Sequence, residues 1–156
     1  GNTLWTSTAA AYEALPQEKR AHLGRLDAEF SLGNRFGKLA KDDTGHTPMK
    51  DYQAKQVPVV THPVVRTHPV TGRKNIYVNE GHTIRIKGME EDESRALLKE
   101  LWTHCTKEEF IYRHKWRVGD VVMWDNVPTQ HLAIKDYDLP DRRLLYRITL
   151  SGDRPF

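Results

Sequence analysis

Cysteine is nearly absent from this sequence. The 156 residues contain only Cys105, which excludes a disulfide within the chain and any zinc site built from several cysteines. Cys105 falls in a segment of helical character, residues 93–106, so we expect a buried structural thiol. A single cysteine is also typical of a reducing, cytoplasmic compartment.

Long apolar runs are absent as well. No uninterrupted stretch approaches the roughly 20 apolar residues that span a bilayer, and the mean hydropathy is −0.70. The first residues, "GNTLWTS", include no initiator methionine and no signal segment. We therefore expect no membrane partner, and we expect that the chain is cut from a longer protein.

Neither sign of charge dominates. The chain has 24 basic and 21 acidic residues, with a net charge of +3. A nucleic-acid-binding protein usually concentrates its basic residues on one face, whereas here they are interspersed with acids, as in "PQEKRAHLGRLDAEF". We expect no nucleic-acid partner; a small anionic ligand fits this composition better.

The common catalytic motifs are missing too. The sequence has no HExxH, no CxxC, no glycine-rich phosphate loop and no serine nucleophile elbow. His62 and His68 each precede a proline around a predicted hairpin, and His22 and His104 fall in predicted helices. For these histidines, and for His114 in an alternating strand, ordinary structural roles are expected.

The helical segments are indicated by spacing and capping residues. Ser7 or Thr8 can cap the first, because a hydroxyl accepts from free amides of the first turn, and Pro16 suits the first turn of the second. Between the second and third, the polar and aperiodic residues 31–60 indicate a long loop. The predicted helices are residues 8–15, 16–32 and 90–105.

The rest of the chain has the character of short strands. Two β-rich runs flank "PVTGRK", whose proline and glycine predict a turn. Short strands joined by turns, with helices inserted, favour a mainly β antiparallel sandwich or jelly roll in a single domain, residues 1–156. The predicted strands are residues 63–68, 75–79, 109–116, 121–125 and 142–150.

Candidate site residues gather near the C-terminus. His131 follows a short loop, and Arg143 and Arg147 lie in the predicted last strand. Residues i and i+4 of a strand share a face, about 13 Å apart. Two inward guanidiniums would need anions, because an unpaired buried charge is strongly disfavoured. Two surface arginines on an edge strand are an equally weighted alternative.

Four segments resemble one enzyme family. They are "TLWTSTAAAYEALP", "HPVVRTHPVTGRKNIYVNEGHT", "WRVGDVVMWDNVPTQH" and "DYDLPDRRLLYRITLSGDRPF". Together, and in this order, they resemble the taurine dioxygenase / 2,4-dichlorophenoxyacetate dioxygenase (TauD/TfdA) family, nearly from end to end. The resemblance implies a double-stranded β-helix and an Fe(II)- and 2-oxoglutarate-dependent dioxygenase using O2. Such enzymes hold iron with two histidines and one carboxylate.

The resemblance also implies roles for individual residues. His131 matches the second iron-binding histidine of the family. Arg143 matches the arginine that pairs with the distal carboxylate of 2-oxoglutarate. Thr3 matches a threonine that hydrogen-bonds to the same carboxylate.

Further matches concern the substrate. Arg147 matches the arginine that receives the substrate's sulfonate in taurine-type members, and His82 stands where those members carry an aromatic substrate contact. Trp124 matches an aromatic wall near the iron. The resemblance implies hydroxylation of a small anionic substrate, a sulfonate, a sulfate ester or an aryloxyalkanoate, with release of succinate and CO2.

One part of the family pattern is missing. The other two iron ligands should come from a His-x-Asp motif, and no His-x-Asp or His-x-Glu occurs in these residues. We therefore expect the C-terminal part of a longer, homo-oligomeric cytoplasmic enzyme, inactive by itself because it supplies one iron ligand of three. The alternative is a degenerate member that acts as a non-catalytic jelly-roll binding module.

Overall fold

The computed structural model describes residues 1–33, 57–138, 140 and 143–156. Most of the predicted loop, residues 31–60, lies outside the described residues. The helices are α1 (Thr8–Glu13), α2 (Gln17–Leu23), α3 (Glu91–Cys105) and a 3-10 turn (Glu108–Phe110). The strands are β1 (Thr3–Ser7), β2 (Asp27–Phe30), β3 (Val60–Pro63), β4 (Val65–Thr67), β5 (Lys74–Ile76), β6 (Thr83–Ile86), β7 (Ile111–His114) and β8 (Thr129–Ala133).

The strands of the described residues pair in small antiparallel sheets. Their orders are β7-β1-β8, β3-β2-β6 and β4-β5. In the first sheet, β1 near the N-terminus pairs with β7 on one side and with β8 on the other. Both of these neighbours come from the C-terminal half of the chain. This β-rich arrangement with few helices confirms the predicted mainly β class.

The first helix begins as predicted. The Ser7 side chain accepts a hydrogen bond from the Ala10 N–H at 3.2 Å, which satisfies one of the amides left free in a first helical turn. The side chains of Ala9 and Ala11 are buried. Capping chemistry therefore predicted the start of α1, and its alanines form the inward face.

The second helix is shorter than predicted. α2 ends at Leu23, with Gly24 as its C-cap, and the predicted continuation to residue 32 is wrong. Asp27–Phe30 forms strand β2 instead, with Ala28 and Phe30 buried. Leu23, Leu26 and Phe30 have helical spacing, but residues 27–30 pair with strands on both sides and bury alternate side chains. Tertiary packing thus overrides a weak local propensity.

The hairpin and the third helix agree with the predictions. Gly72 has φ +71° in the turn between β4 and β5, a conformation that costs glycine little. In α3, Leu97, Leu98 and Leu101 are buried on one face. Acidic residues occupy the first turn of α3, where they favour the positive end of the helix dipole.

Two predicted strands are not formed. Residues 121–125 and 143–150 are irregular in the structure, and the side chains of Leu144, Tyr146 and Ile148 are 76%, 94% and 91% exposed. A strand needs a neighbour to pair its N–H and C=O groups. No described strand pairs with either segment, so a composition typical of strands is not enough to make them strands.

The core is apolar and lies between α3, α1 and the small sheets. Its fully buried side chains include Leu23, Ile76, Ile86, Leu101 and Cys105, so the expectation of a buried thiol is confirmed. Burial raises the pKa of the Cys105 thiol to about 12. Among the helices that the structure describes, none has the length and apolar character needed to cross a bilayer.

Candidate functional site

One face of the sheet β7-β1-β8 collects several of the predicted site residues. Antiparallel pairing places His131 of β8 opposite Trp5 of β1, and Tyr112 of β7 opposite Trp5 on the other side. Directly paired residues share a face, and so do residues two apart along a strand. Thr3, Trp5 and His131 therefore lie on the same side of this sheet.

Thr3 is the meeting point of two donors. Its side chain is buried, and its Oγ1 accepts a hydrogen bond from Nε1 of Trp116 at 2.8 Å. Nη2 of Arg143 donates to the same oxygen at 3.1 Å, and Nε of Arg143 donates to the Gly1 carbonyl at 3.4 Å. The predicted pair of Thr3 and Arg143 is thus brought together.

Aromatic rings surround the predicted iron ligand. The ring of Trp124 lies 5.4 Å from that of His131 and 5.3 Å from that of Trp5, centroid to centroid. These spacings are typical of favourable tilted and edge-to-face aromatic contacts. Trp124, predicted as an aromatic wall near the iron, thus lies beside His131.

A hydrogen-bonded histidine holds the loop that leads to His131. His68 Nδ1 accepts from the N–H groups of Val70 and Thr71, both at 3.1 Å. Its Nε2 therefore carries the proton and donates to Oδ2 of Asp125 at 2.7 Å. His68 is buried, so the contact ties the β4–β5 turn to the residue that follows Trp124.

Asp125 organises the same loop from within. Its Oδ1 accepts from the Val127 N–H at 2.9 Å, and its carbonyl accepts from the Thr129 hydroxyl at 2.6 Å, at the start of β8. Burial alone would raise the pKa of Asp125, but the hydrogen bonds from His68 and Val127 outweigh it, and the pKa lies below its ordinary value. The loop therefore holds an ionised carboxylate.

The two predicted substrate residues lie elsewhere. Arg147 is exposed in the irregular C-terminal segment, and within the described residues it forms no hydrogen bond or ion pair with Thr3 or Arg143. The expected strand geometry, with Arg143 and Arg147 on one face of a strand, is wrong because residues 143–150 are not a strand. His82 lies before β6, where its backbone N–H and its Nδ1 both contact Oδ1 of Asn79 at 2.9 Å.

Two parts of this site were missed at the level of sequence. Trp116 continues the alternation of the predicted strand, which could have placed it near the β1 face. Nothing local linked His68 to Asp125, because they are 57 residues apart. Their pairing depends entirely on how the β4–β5 hairpin packs.

On the site face His131 is exposed, whereas Thr3 and Trp5 are buried. Two concave regions, of about 460 and 320 Å³, are lined by other residues, around α2 and around α3. In the described part of the chain, no group of three or more His, Cys, Asp or Glu side chains could hold a metal ion. His131 therefore offers a single imidazole, beside a hydrogen-bonded Thr3–Arg143 pair.

Comparisons with known proteins agree on one family. A family model described as "Taurine catabolism dioxygenase TauD, TfdA family" matches residues 1–149. The chain is 40% identical, over 154 residues, to an alpha-ketoglutarate-dependent 2,4-dichlorophenoxyacetate dioxygenase of Cupriavidus pinatubonensis, covering 98% of this chain and 51% of that protein. It is 37% identical to an alpha-ketoglutarate-dependent sulfate ester dioxygenase of Pseudomonas putida, covering 99% and 52%.

Solved structures give the same answer. The chain is similar to AAD-2 in complex with Mn(II) and N-oxalylglycine, with a TM-score of 0.70 and 39% identity over 84% of this chain and 49% of that one. It is also similar to a taurine dioxygenase from Burkholderia xenovorans, with a TM-score of 0.67 and 36% identity over 84% and 40%. The chain spans about half the length of the curated relatives it matches.

Proposed function

This chain belongs to the TauD, TfdA family of taurine catabolism dioxygenases, and from that membership we propose the activity of the protein that contains it. The protein is an Fe(II)- and 2-oxoglutarate-dependent dioxygenase. It hydroxylates a small anionic organic substrate with O2 and converts 2-oxoglutarate to succinate and CO2.

The observation that carries the proposal is the donor arrangement at Thr3. Its Oγ1 already accepts from Trp116 and Arg143, and neither donor group has an acceptor atom. The hydroxyl proton of Thr3 has no acceptor within the described part of the chain. A buried O–H without an acceptor, next to a guanidinium, suits a carboxylate, which can accept from both.

We assign the distal carboxylate of 2-oxoglutarate to this position. Arg143 supplies the charge, and Thr3 supplies a directed hydrogen bond. The keto acid would then extend along the sheet face toward His131, which shares that face with Thr3. This orientation would place the reactive end of the cosubstrate beside the imidazole and the Trp124 ring.

The iron site fits this chain in part. His131 is the one residue that we assign as an iron ligand, and the other ligands are proposed to come from outside the described residues. When bound, Fe(II) supplies the activation of O2 and the oxidation of the substrate C–H bond. The Trp124 ring, 5.4 Å from the His131 ring between centroids, would restrict the orientation of the imidazole.

The substrate class is proposed from chemistry shared by the relatives. A 2,4-dichlorophenoxyacetate and a sulfate ester are both anions with a carbon that bears an oxygen-linked group, an aryl ether in the first and the sulfate in the second. Hydroxylation of that carbon gives a product that collapses and releases the oxygen-bound group. We propose that Arg147 receives the anion and that His82 contacts the body of the substrate.

The architecture is part of the same proposal. The small antiparallel sheets are the C-terminal part of a double-stranded β-helix, and residues 1–156 form part of one jelly-roll domain, in a homo-oligomer that binds neither nucleic acid nor membrane. Support comes from the similarity to solved family members over 84% of the chain. Light scattering of the purified protein tests the oligomeric state.

A turnover screen tests the activity. The complete product of the gene is incubated with Fe(II), 2-oxoglutarate and a panel of sulfonates, sulfate esters and aryloxyalkanoates, and succinate is measured. Succinate formation that depends on one anionic class is expected, and His131→Ala should abolish it. Gln130→Ala, one position away on β8, is the matched control. A protein that forms no succinate with any anion would instead support the non-catalytic binding module.

A further inference from the structure

Trp116 contacts the site through Thr3, and the family resemblance assigned it no role. Its Nε1–H is 2.8 Å from Oγ1 of Thr3, although Trp116 lies beyond the end of β7 and is 113 residues away in sequence. We propose that Trp116 is a positioning residue that directs the hydroxyl proton of Thr3 at the distal carboxylate of the keto acid. The inference rests on the proposed 2-oxoglutarate site.

The argument follows from the number of positions around a hydroxyl oxygen. A threonine Oγ1 has two lone pairs and one proton, and the proton rotates freely about the Cβ–Oγ bond. With Arg143 alone as a donor, one lone pair is occupied and the proton can take either of two remaining directions. Trp116 occupies the second lone pair, so a single direction remains for the proton.

The indole is itself held firmly enough to act in this way. Its ring meets the His114 ring edge-on at 4.7 Å and the Trp5 ring at 6.3 Å. His114 is fixed in turn, because its Nε2 lies 2.9 Å from Oδ2 of Asp120. Packing and hydrogen bonding thus fix the direction of the Trp116 N–H before any ligand arrives, and preorganised donors lose less entropy on binding.

A purely structural role makes a different prediction. If Trp116 only connected β7 to β1, its loss would weaken the binding of every ligand of the site by the same factor. If Trp116 orients the Thr3 hydroxyl, its loss weakens the binding only of a ligand that accepts a hydrogen bond from this hydroxyl. The two roles can therefore be separated by comparing keto acids with and without a distal carboxylate.

The experiment measures binding rather than turnover. The complete gene product is loaded with Mn(II) and titrated calorimetrically with 2-oxoglutarate and with 2-oxobutyrate, which lacks the distal carboxylate. Trp116→Phe keeps the ring and removes the N–H. We expect its Kd for 2-oxoglutarate to rise about fivefold, the effect of one neutral hydrogen bond, with an unchanged Kd for 2-oxobutyrate.

Two controls complete the design. Trp102→Phe, on α3, makes the same chemical change away from Thr3 and should leave both Kd values unchanged. In a Thr3→Val background, which has no hydroxyl to orient, Trp116→Phe should have no further effect on 2-oxoglutarate binding. Such non-additivity is the signature of two residues that act as a unit.

The outcomes separate this inference from the proposed function. If the unmodified protein bound 2-oxoglutarate no more tightly than 2-oxobutyrate, the carboxylate site itself would be wrong. If it preferred 2-oxoglutarate, the carboxylate site would be supported. If Trp116→Phe then raised the Kd of both keto acids equally, or of neither, the positioning role of Trp116 would be refuted.

Discussion

His68 donates from Nε2 to Oδ2 of Asp125 at 2.7 Å, and this hydrogen bond joins two parts of the chain that are 57 residues apart. On one side it is anchored by the β4–β5 turn, whose N–H groups occupy Nδ1 of His68. On the other side it restrains the loop between Trp124 and β8. His68 therefore restrains the loop that leads to His131.

Removing His68 should destabilise the protein. His68→Ala removes a buried imidazole and leaves two backbone N–H groups and the half-exposed Asp125 carboxylate without this partner. We expect a loss of about 1 kcal/mol or more in the free energy of unfolding. Urea denaturation measures it. His22→Ala, at an exposed position of α2, is the control and should change stability by less than about 0.5 kcal/mol. Equal effects of the two variants would show that the His68 contacts add nothing.

The Asp125 carboxylate should make stability depend on acidic pH. Its pKa in the folded protein lies below the ordinary 3.8, so its contribution is present above the ordinary value and is lost as the pH falls through the folded pKa. We expect Asp125→Asn to lose less stability than the unmodified protein between neutral pH and acid. Urea midpoints at several pH values measure this difference.

The same pH measurement identifies the cause. In a His68→Ala background, the hydrogen bond that most lowers the Asp125 pKa is gone. There, Asp125→Asn should alter the pH dependence less than it does in the unmodified protein. An effect of the same size in both backgrounds would mean that His68 does not set the pKa of Asp125.

Leu101 should be among the most sensitive core positions. Its side chain is fully buried under α3, and Leu101→Ala removes apolar contacts and leaves a cavity, at a cost of about 2 to 5 kcal/mol. Lys99→Ala, at an exposed position of the same helix, controls for helix propensity. Thermal unfolding of both variants provides the comparison, and a midpoint for Leu101→Ala close to that of Lys99→Ala would contradict the packing described for α3.

The Cys105 thiol should be inert in the folded protein. It is 1% exposed, and burial raises its pKa to about 12, so the thiolate that reacts with disulfide reagents is scarce and inaccessible at pH 8. We expect slow labelling by a chromogenic disulfide in native buffer and rapid labelling in urea. Cys105→Ala should remove the urea signal, and fast labelling under native conditions would show that α3 opens readily.

Local chemistry explains which expectations from the sequence agree with the fold. Ser7 as a cap, Gly72 in the hairpin turn and the leucines of α3 each act through neighbours within a few residues. The second half of the predicted second helix was wrong, because its secondary structure depends on neighbours that are distant in sequence. Residues 27–30 are a strand because β3 and β6 lie on either side of them.

Individual site residues show the same division. The order of motifs along the chain was enough to identify Thr3, His131 and Arg143 as candidates and to assign the family, because those residues stand at recognisable positions in recognisable segments. The roles assigned to these three residues, and those assigned to Arg147, His82 and Trp124, all remain predictions. No local pattern could reveal the contacts of His68 with Asp125 or of Trp116 with Thr3, which join residues 57 and 113 positions apart.

The sequence by itself determined the family, the start of α1, the span of α3 and the residue types available for an anion and a metal. These depend on residue identity and short-range spacing. Only the tertiary structure decided which donors meet on one oxygen, which loop a buried histidine restrains, and which β-rich segments find a partner to become strands. Hydrogen bonds and strand pairing require particular atoms to come within about 3 Å of each other in space. The two partners can lie any number of residues apart in the sequence, so local sequence patterns cannot reveal which atoms meet.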